Sequence, residues 1–171
     1  MDFLKLAKER FATRQYDSRP IKEEKLNQLL DAARIAPTAA NNQPQRIYVL
    51  RSAEALAKIA RLTPCSFHAP VVIMVGYDEK EDWKNPQQPG IHSGEEDASI
   101  VATHMMLAAQ DLGLGTCWVN MFPNAETEKA FGLPESVRLV LLMPVGYPSD
   151  KARPSPKHAK RKEISEFTEF L

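Results

Sequence analysis

This 171-residue chain has little that points to the commoner chemistries. It has two cysteines, Cys65 and Cys117, without CxxC spacing, so neither a disulfide framework nor a zinc site is expected. Lys plus Arg and Asp plus Glu are 22 each, so there is no basic excess for a nucleic acid to find. No run approaches the roughly 18 apolar residues of a membrane span. The first residues, Met1 to Lys8, mix charged with apolar side chains and lack a signal-peptide core. A cytoplasmic, unanchored protein in a reducing compartment is the expectation. His68, His92, His104 and His158 are scattered without metal spacing, and His104 reads as a satisfied core histidine. No G-x-S-x-G is present and Cys117 has no nucleophile signature, so hydrolase chemistry has nothing to rest on. Gly113-Leu114-Gly115 follows a helix and lacks a third glycine, which excludes a dinucleotide fingerprint.

What is there is an ordinary globular pattern, expected as one domain over 1–171. Phe3, Leu4, Ala7 and Phe11 recur at helical spacing and predict a short helix over 2–10. Leu26, Leu29, Leu30 and Ala33 form the apolar stripe of a second helix that ends before Pro37. Ile47–Leu50 reads as a strand, Ser52 as the cap of a third helix, and Val71–Val75 as the strongest strand. Residues 78–94 form a long polar loop. Residues 95–112 form the longest helix, apolar on most sides and expected to be central. Gly113 and Gly115 end it. Strands follow at 116–119 and 137–145, with a short helix capped by Asn124 between them. Helices and strands mix without strict βαβ alternation, which predicts an α+β fold with a mostly antiparallel sheet flanked by helices. An extended, proline-rich arm from Pro148 to Pro156 leads to an apolar tail with Ile164, Phe167, Phe170 and Leu171. Such a tail fits a monomer poorly and suits an arm crossing to a partner subunit.

Two constellations could carry chemistry. Arg10 and Arg14 are four apart, and on a helix they would share a face. Like charges there repel unless an anion lies between them, and guanidinium binds phosphate bidentately. Lys157, His158, Lys160, Arg161 and Lys162 make a second cationic cluster that the fold could bring alongside. A solvated basic face is the alternative for both. The second constellation, Pro37 to Gln45, holds Asn41, Asn42 and Gln43 between two prolines. A plain helix-to-strand connection uses such residues too. Three successive carboxamides beside a core strand also suit the uracil-like edge of a flavin.

Arg10-x-x-x-Arg14-x-Tyr16, Ala36-Pro37-Thr38-x-x-Asn41-x-Gln43-Pro44, the buried helix, Gly113 to Val119 and Pro144-Val145-Gly146-Tyr147-Pro148 together resemble the nitroreductase family in its short form. The resemblance implies an α+β homodimer with two active sites at the subunit interface, each holding one flavin mononucleotide (FMN). By it, Arg10, Lys160 and Arg161 would hold the phosphate. Arg14 would lie near the ribityl chain and the N1–C2 edge. Pro37, Thr38, Ala39 and Asn41 would contact the flavin held mainly by the other subunit. Trp118, Val119 and Asn120 would pass along the ring with a backbone N–H near N5. Ala12 stands where the family usually has serine, which removes one hydroxyl contact worth about 1 kcal/mol. Gln45 stands where tryptophan is frequent, and residues 63–94 match least. The implied activity is ping-pong hydride transfer from NADH or NADPH to a nitroaromatic, quinone or similar small-molecule acceptor, with no catalytic side chain required. A flavin-holding or redox-sensing protein with little turnover is the alternative.

Overall fold

The computed structural model describes residues 2–171. Five helices surround one four-stranded antiparallel sheet of order β1-β2-β4-β3. The helices are α1 (Phe3–Glu9), α2 (Glu23–Arg34), α3 (Ala53–Leu62), α4 (Gly94–Asp111) and α5 (Asn124–Ala130); the strands are β1 (Gln45–Leu50), β2 (Val71–Asp78), β3 (Gly115–Thr116) and β4 (Val137–Gly146).

Strand alternation decides which helices cover which face. Along β2, Val71, Ile73, Val75 and Tyr77 join Leu29 and Ala33 of α2 and Val101, Met105 and Ala109 of α4 in one cluster. Val72 and Met74 point the other way, onto Ile59 of α3 and onto Cys117 and Val119. A bulge between Val75 and Gly76 inserts Val140 in β4, so parity changes there. Leu139 and Leu142 thus face α3, while Leu141 and Met143 face α4. With both faces covered, β2 reads as an unbroken apolar run, and each such buried side chain contributes about 1.5–3 kcal/mol.

Local signals set the helix ends. The Ser52 hydroxyl accepts from Ala55 N at 3.2 Å at the start of α3. Gly113, at φ 71°, reverses the chain after α4. Asn124 does not cap α5 as expected: it is the first helical residue, and its amide donates to Leu139 O at 2.7 Å, tying α5 to β4. The expected strand over 116–119 is shorter. Only Gly115–Thr116 pair continuously with β4, and Val119 rejoins through an isolated bridge to Leu142.

The N-terminal segment departs most from expectation. Helix α1 stops at Glu9, and Arg10 is already extended at φ −60°, ψ 131°. Residues 12–17 then run along the sheet edge, with Ala12 bridged to Thr116 and Tyr16 bridged to Pro148. Hydrogen bonds from Thr13 N to Thr116 O and from Asp17 N to Tyr147 O, both 2.8 Å, hold the segment. The two arginines therefore do not share a helical face. The tail forms one 3-10 turn, Ile164–Glu166, and no longer helix. Ile164, Phe167, Phe170 and Leu171 are all well exposed.

Candidate active site

Extended backbone alternates side chains as surely as a helix groups them. Thr13 turns inward and is 1% exposed, while Arg14 turns outward. Space for Thr13 comes from Gly115: a Cβ on that glycine would lie 2.4 Å from the Thr13 hydroxyl. Tyr16 anchors the segment from below, its phenol donating towards Thr13 O at 2.7 Å and Pro144 O at 3.0 Å. Burial pushes that phenol far above its ordinary value, so it stays protonated.

Burial raises the Cys117 thiol, and the Arg14 and Arg10 guanidiniums both pull against that rise. Five arginines pair with carboxylates among the described residues. Arg46 pairs with Glu81 at 2.7 Å and Asp78 at 3.3 Å, and Arg138 with Glu79 at 2.9 Å. Arg19, Arg34 and Arg51 also have carboxylates. Among the described residues, Arg10 and Arg14 have none, and the one hydrogen bond Arg14 makes is a 3.5 Å contact to Ala12 O.

The tail cations arrive beside them. The His158 ring packs edge-on against Phe11 with centroids 6.5 Å apart, and its Nε2 meets Lys8 O at 3.1 Å. Lys160 and Arg161 follow this anchor, both exposed and neither paired to a carboxylate among the described residues. Arg161 donates to the carbonyls of His158 and Lys160. Two sequence-distant basic clusters thus meet at one end of the molecule.

Trp118 and Asn120 lie beyond β3 on the same edge. The Trp118 indole N–H donates to the Asn120 side-chain oxygen at 2.5 Å, and the Asn120 amide donates to Val140 O at 3.1 Å. Val119 is buried, and its N–H is engaged by Leu142 O at 3.0 Å. The N–H groups of Trp118 and Asn120 alternate away from β4 and have no backbone partner among the described residues, so they, not that of Val119, are available to a ligand.

The 37–45 loop is ordered by unusual backbone. Ala40, Asn41 and Gln43 all have φ between 51° and 56°, the left-handed region, which costs about 1–2 kcal/mol per non-glycine residue. Gln43 N donates to the Thr38 hydroxyl at 3.0 Å, and Asn41 N to Thr38 O at 3.0 Å. Ala39 N donates to Asp97 of α4 at 2.8 Å. Such concentrated strain in a well-bonded loop is a mark of a functional segment. This tie from Asp97 to the loop, across 58 residues, is one that sequence reasoning missed.

The structure does not bring the two constellations together within one chain. Gln45, at the loop's end, lies opposite Tyr77 and hence level with Arg138, while Thr116, which holds Ala12, lies opposite Val145. On β2 the partners of Arg138 and Val145 are Tyr77 and Val71, about 20 Å apart, and β1 and β3 are about 14 Å apart laterally, so Gln45 and Thr116 are about 24 Å apart.

This architecture is that of a known class of α+β oxidoreductase folds. A nitroreductase family protein from Clostridium difficile 630 superposes with a TM-score of 0.92 and 36% identity over 99% of this chain and 98% of that one. A structure from Exiguobacterium sibiricum 255-15, described as "a putative nitroreductase in complex with FMN", matches in fold with a TM-score of 0.86 at 24% identity, covering 100% of this chain and 98% of that one. The "Putative NADH dehydrogenase/NAD(P)H nitroreductase" of Methanothermobacter thermautotrophicus is 33% identical over 157 residues, covering 88% of this chain and 79% of that protein. The nitroreductase family model matches residues 7–67 and 63–147. The chain belongs to the nitroreductase family. No helix among the described residues is long and apolar enough to cross a membrane.

Proposed function

We propose that this protein binds FMN and passes reducing equivalents from NADH or NADPH to a nitroaromatic, quinone or similar small acceptor by a ping-pong route. The observation that carries the reading is the pair Arg10 and Arg14, two guanidiniums of one short segment without carboxylates among the described residues, next to which the tail packs, in a chain of zero formal charge. Two such cations at one end, joined by the tail, fit the doubly charged phosphate of a flavin nucleotide. The left-handed loop, whose carboxamides donate and accept, fits the flat polar ring.

Arg10, Lys160 and Arg161 hold the phosphate, and Ala12 adds backbone and methyl contact only. Arg14 lies towards the ribityl chain and the N1–C2 edge, where a fixed cation offsets negative charge gained on reduction. Trp118, Val119 and Asn120 line the ring, with the Trp118 or Asn120 N–H turned to it. Bound FMN supplies hydride-accepting and hydride-donating chemistry at N5, and nicotinamide and acceptor use the same exposed face in turn. No side chain is required as a general acid.

Because about 24 Å separates the sheet ends that carry the two constellations, Pro37, Thr38, Ala39 and Asn41 reach a flavin held by a second copy of the chain. The reading is therefore a homodimer with two sites at the interface, and the exposed tail from Ile164 to Leu171 covers the partner. The test is an absorbance spectrum of purified protein, taken without oxygen before and after NADH or NADPH. Flavin bands that bleach support the reductase half-reaction. Bands that persist leave a flavin-holding module, and no bands after soaking with FMN overturn the site.

A further inference from the structure

The flavin loop is set from the start of α4. Asp97 is 2% exposed and uses both carboxylate oxygens: Oδ1 accepts from Ala39 N at 2.8 Å and Oδ2 from the Ser93 hydroxyl at 2.6 Å. Ser93, also buried, accepts from Trp83 N at 3.1 Å. A second tie joins the same segments, from the Asn42 amide to Glu81 O at 3.1 Å. The 79–93 loop, the first turn of α4 and the left-handed turn at Ala40–Gln43 are thus one hydrogen-bonded unit.

We infer that Asp97 is a positioning residue for flavin binding, acting through the Ala39 N–H to hold the Thr38–Gln43 turn in its strained, ligand-ready shape. The inference rests on the FMN reading of that turn. Its physical basis is the mismatch between local preference and observed backbone. Ala40 and Gln43 disfavour φ near 50°, which Asn41 tolerates more readily, so the turn persists only where outside contacts over-determine it. Of the backbone bonds within the turn, Asn41 N to Thr38 O and Asn42 N to Ala39 O are local and open with it. The Asp97 bond spans 58 residues, ends on a buried and rigid helix, and has a charged acceptor, which makes it the stronger tie. A site held ready in this way avoids an ordering cost at the moment of binding.

The test compares FMN binding, by flavin-fluorescence titration, for the unaltered protein, Asp97→Ala, Asp97→Asn and Ala39→Pro. Asp97→Ala removes the acceptor. Ala39→Pro removes the donor while leaving the carboxylate in place, and proline is tolerated at the first position of a helical turn. Each is expected to weaken FMN binding at least tenfold and to change the shape of the bound flavin's visible band. Asp97→Asn keeps an acceptor for Ala39 and is expected to restore affinity to within about threefold. Should Asp97→Ala fail to fold, Ala39→Pro decides. Either folded disruptive variant binding FMN as tightly as the unaltered protein overturns the inference. So does Asp97→Asn behaving as badly as Asp97→Ala. An unaltered protein that takes up no FMN overturns the functional reading and this inference with it. Binding that is indifferent to these substitutions overturns this inference alone.

Discussion

The two ends of the sheet treat their arginines in opposite ways. At the end where β4 begins, Arg138 is matched by Glu79, and Arg46 nearby by Glu81 and Asp78. Asp78 is held below the usual carboxylate range first by the Lys80 backbone N–H, with Arg46 among the lesser causes. At the end where β4 stops, Arg10 and Arg14 have no carboxylate among the described residues, and the tail adds Lys160 and Arg161. Exposed matched pairs are structural trim worth about 0–1 kcal/mol each. Unmatched neighbours of like charge are unfavourable until an anion arrives, and folding gains nothing from bringing them together. Lack of a carboxylate does not by itself single out this end, since Arg61 and Arg153 are also unpaired among the described residues; what sets it apart is that the tail packs on Lys8 and Phe11 and brings further cations there.

The strongest way to break this comparison is to remove the cations at each end. The double substitution Arg10→Ala with Arg14→Ala is expected to weaken FMN binding about 100-fold or more, since hydrogen bonds to charged groups contribute about 1.5–3 kcal/mol each. Arg138→Ala at the matched end should leave FMN affinity within about twofold and cost less than about 1 kcal/mol of stability. Equal effects in fluorescence titrations would show that pairing does not separate binding from structural cations.

A smaller effect tests how the unmatched end is built. Gly115→Ala places a methyl 2.4 Å from the Thr13 hydroxyl and 2.7 Å from its Cβ, displacing the segment that carries both arginines. Overpacking of this kind costs about 1–3 kcal/mol, to be read from urea unfolding, and FMN affinity should fall with it. Full affinity in a folded Gly115→Ala protein would mean that the segment's register does not matter.

The smallest effect is a pH dependence that sharpens the picture of what lies beneath the arginines. Burial raises Cys117 above its ordinary 9.0, despite Arg14 and Arg10. The folded state then holds this proton more tightly than the unfolded state. Its contribution is complete below 9.0 and declines as pH rises above that value. Tyr16, ordinarily 10.0 and raised by burial, adds to the decline at higher pH. Urea midpoints should therefore fall above pH 9.0, less steeply in Cys117→Ala. Identical slopes in the two proteins would place the titration elsewhere.

Much of this was legible in the sequence. The apolar run from Val71, the stripe of α2, the Ser52 cap and the Gly113 stop are local signals, and each formed the expected element because neighbours a few residues apart decide it. The α+β class followed from their mixture, and the order of the family's motifs pointed to the candidate residues. Other features were settled only by contacts between distant residues. Helical spacing suggested that Arg10 and Arg14 share a helical face, yet both lie on extended backbone because residues 12–17 add to the sheet edge, a matter of hydrogen bonds to Thr116 and Tyr147 more than a hundred residues away. Asn124 gave up a cap for Leu139 O, and Asp97 found Ala39 across 58 residues. Composition and periodicity determined which segments are helix, strand or loop. Only the tertiary structure decided which polar groups go unpaired, because a backbone N–H or a cation acquires its partner from whatever the fold brings alongside it.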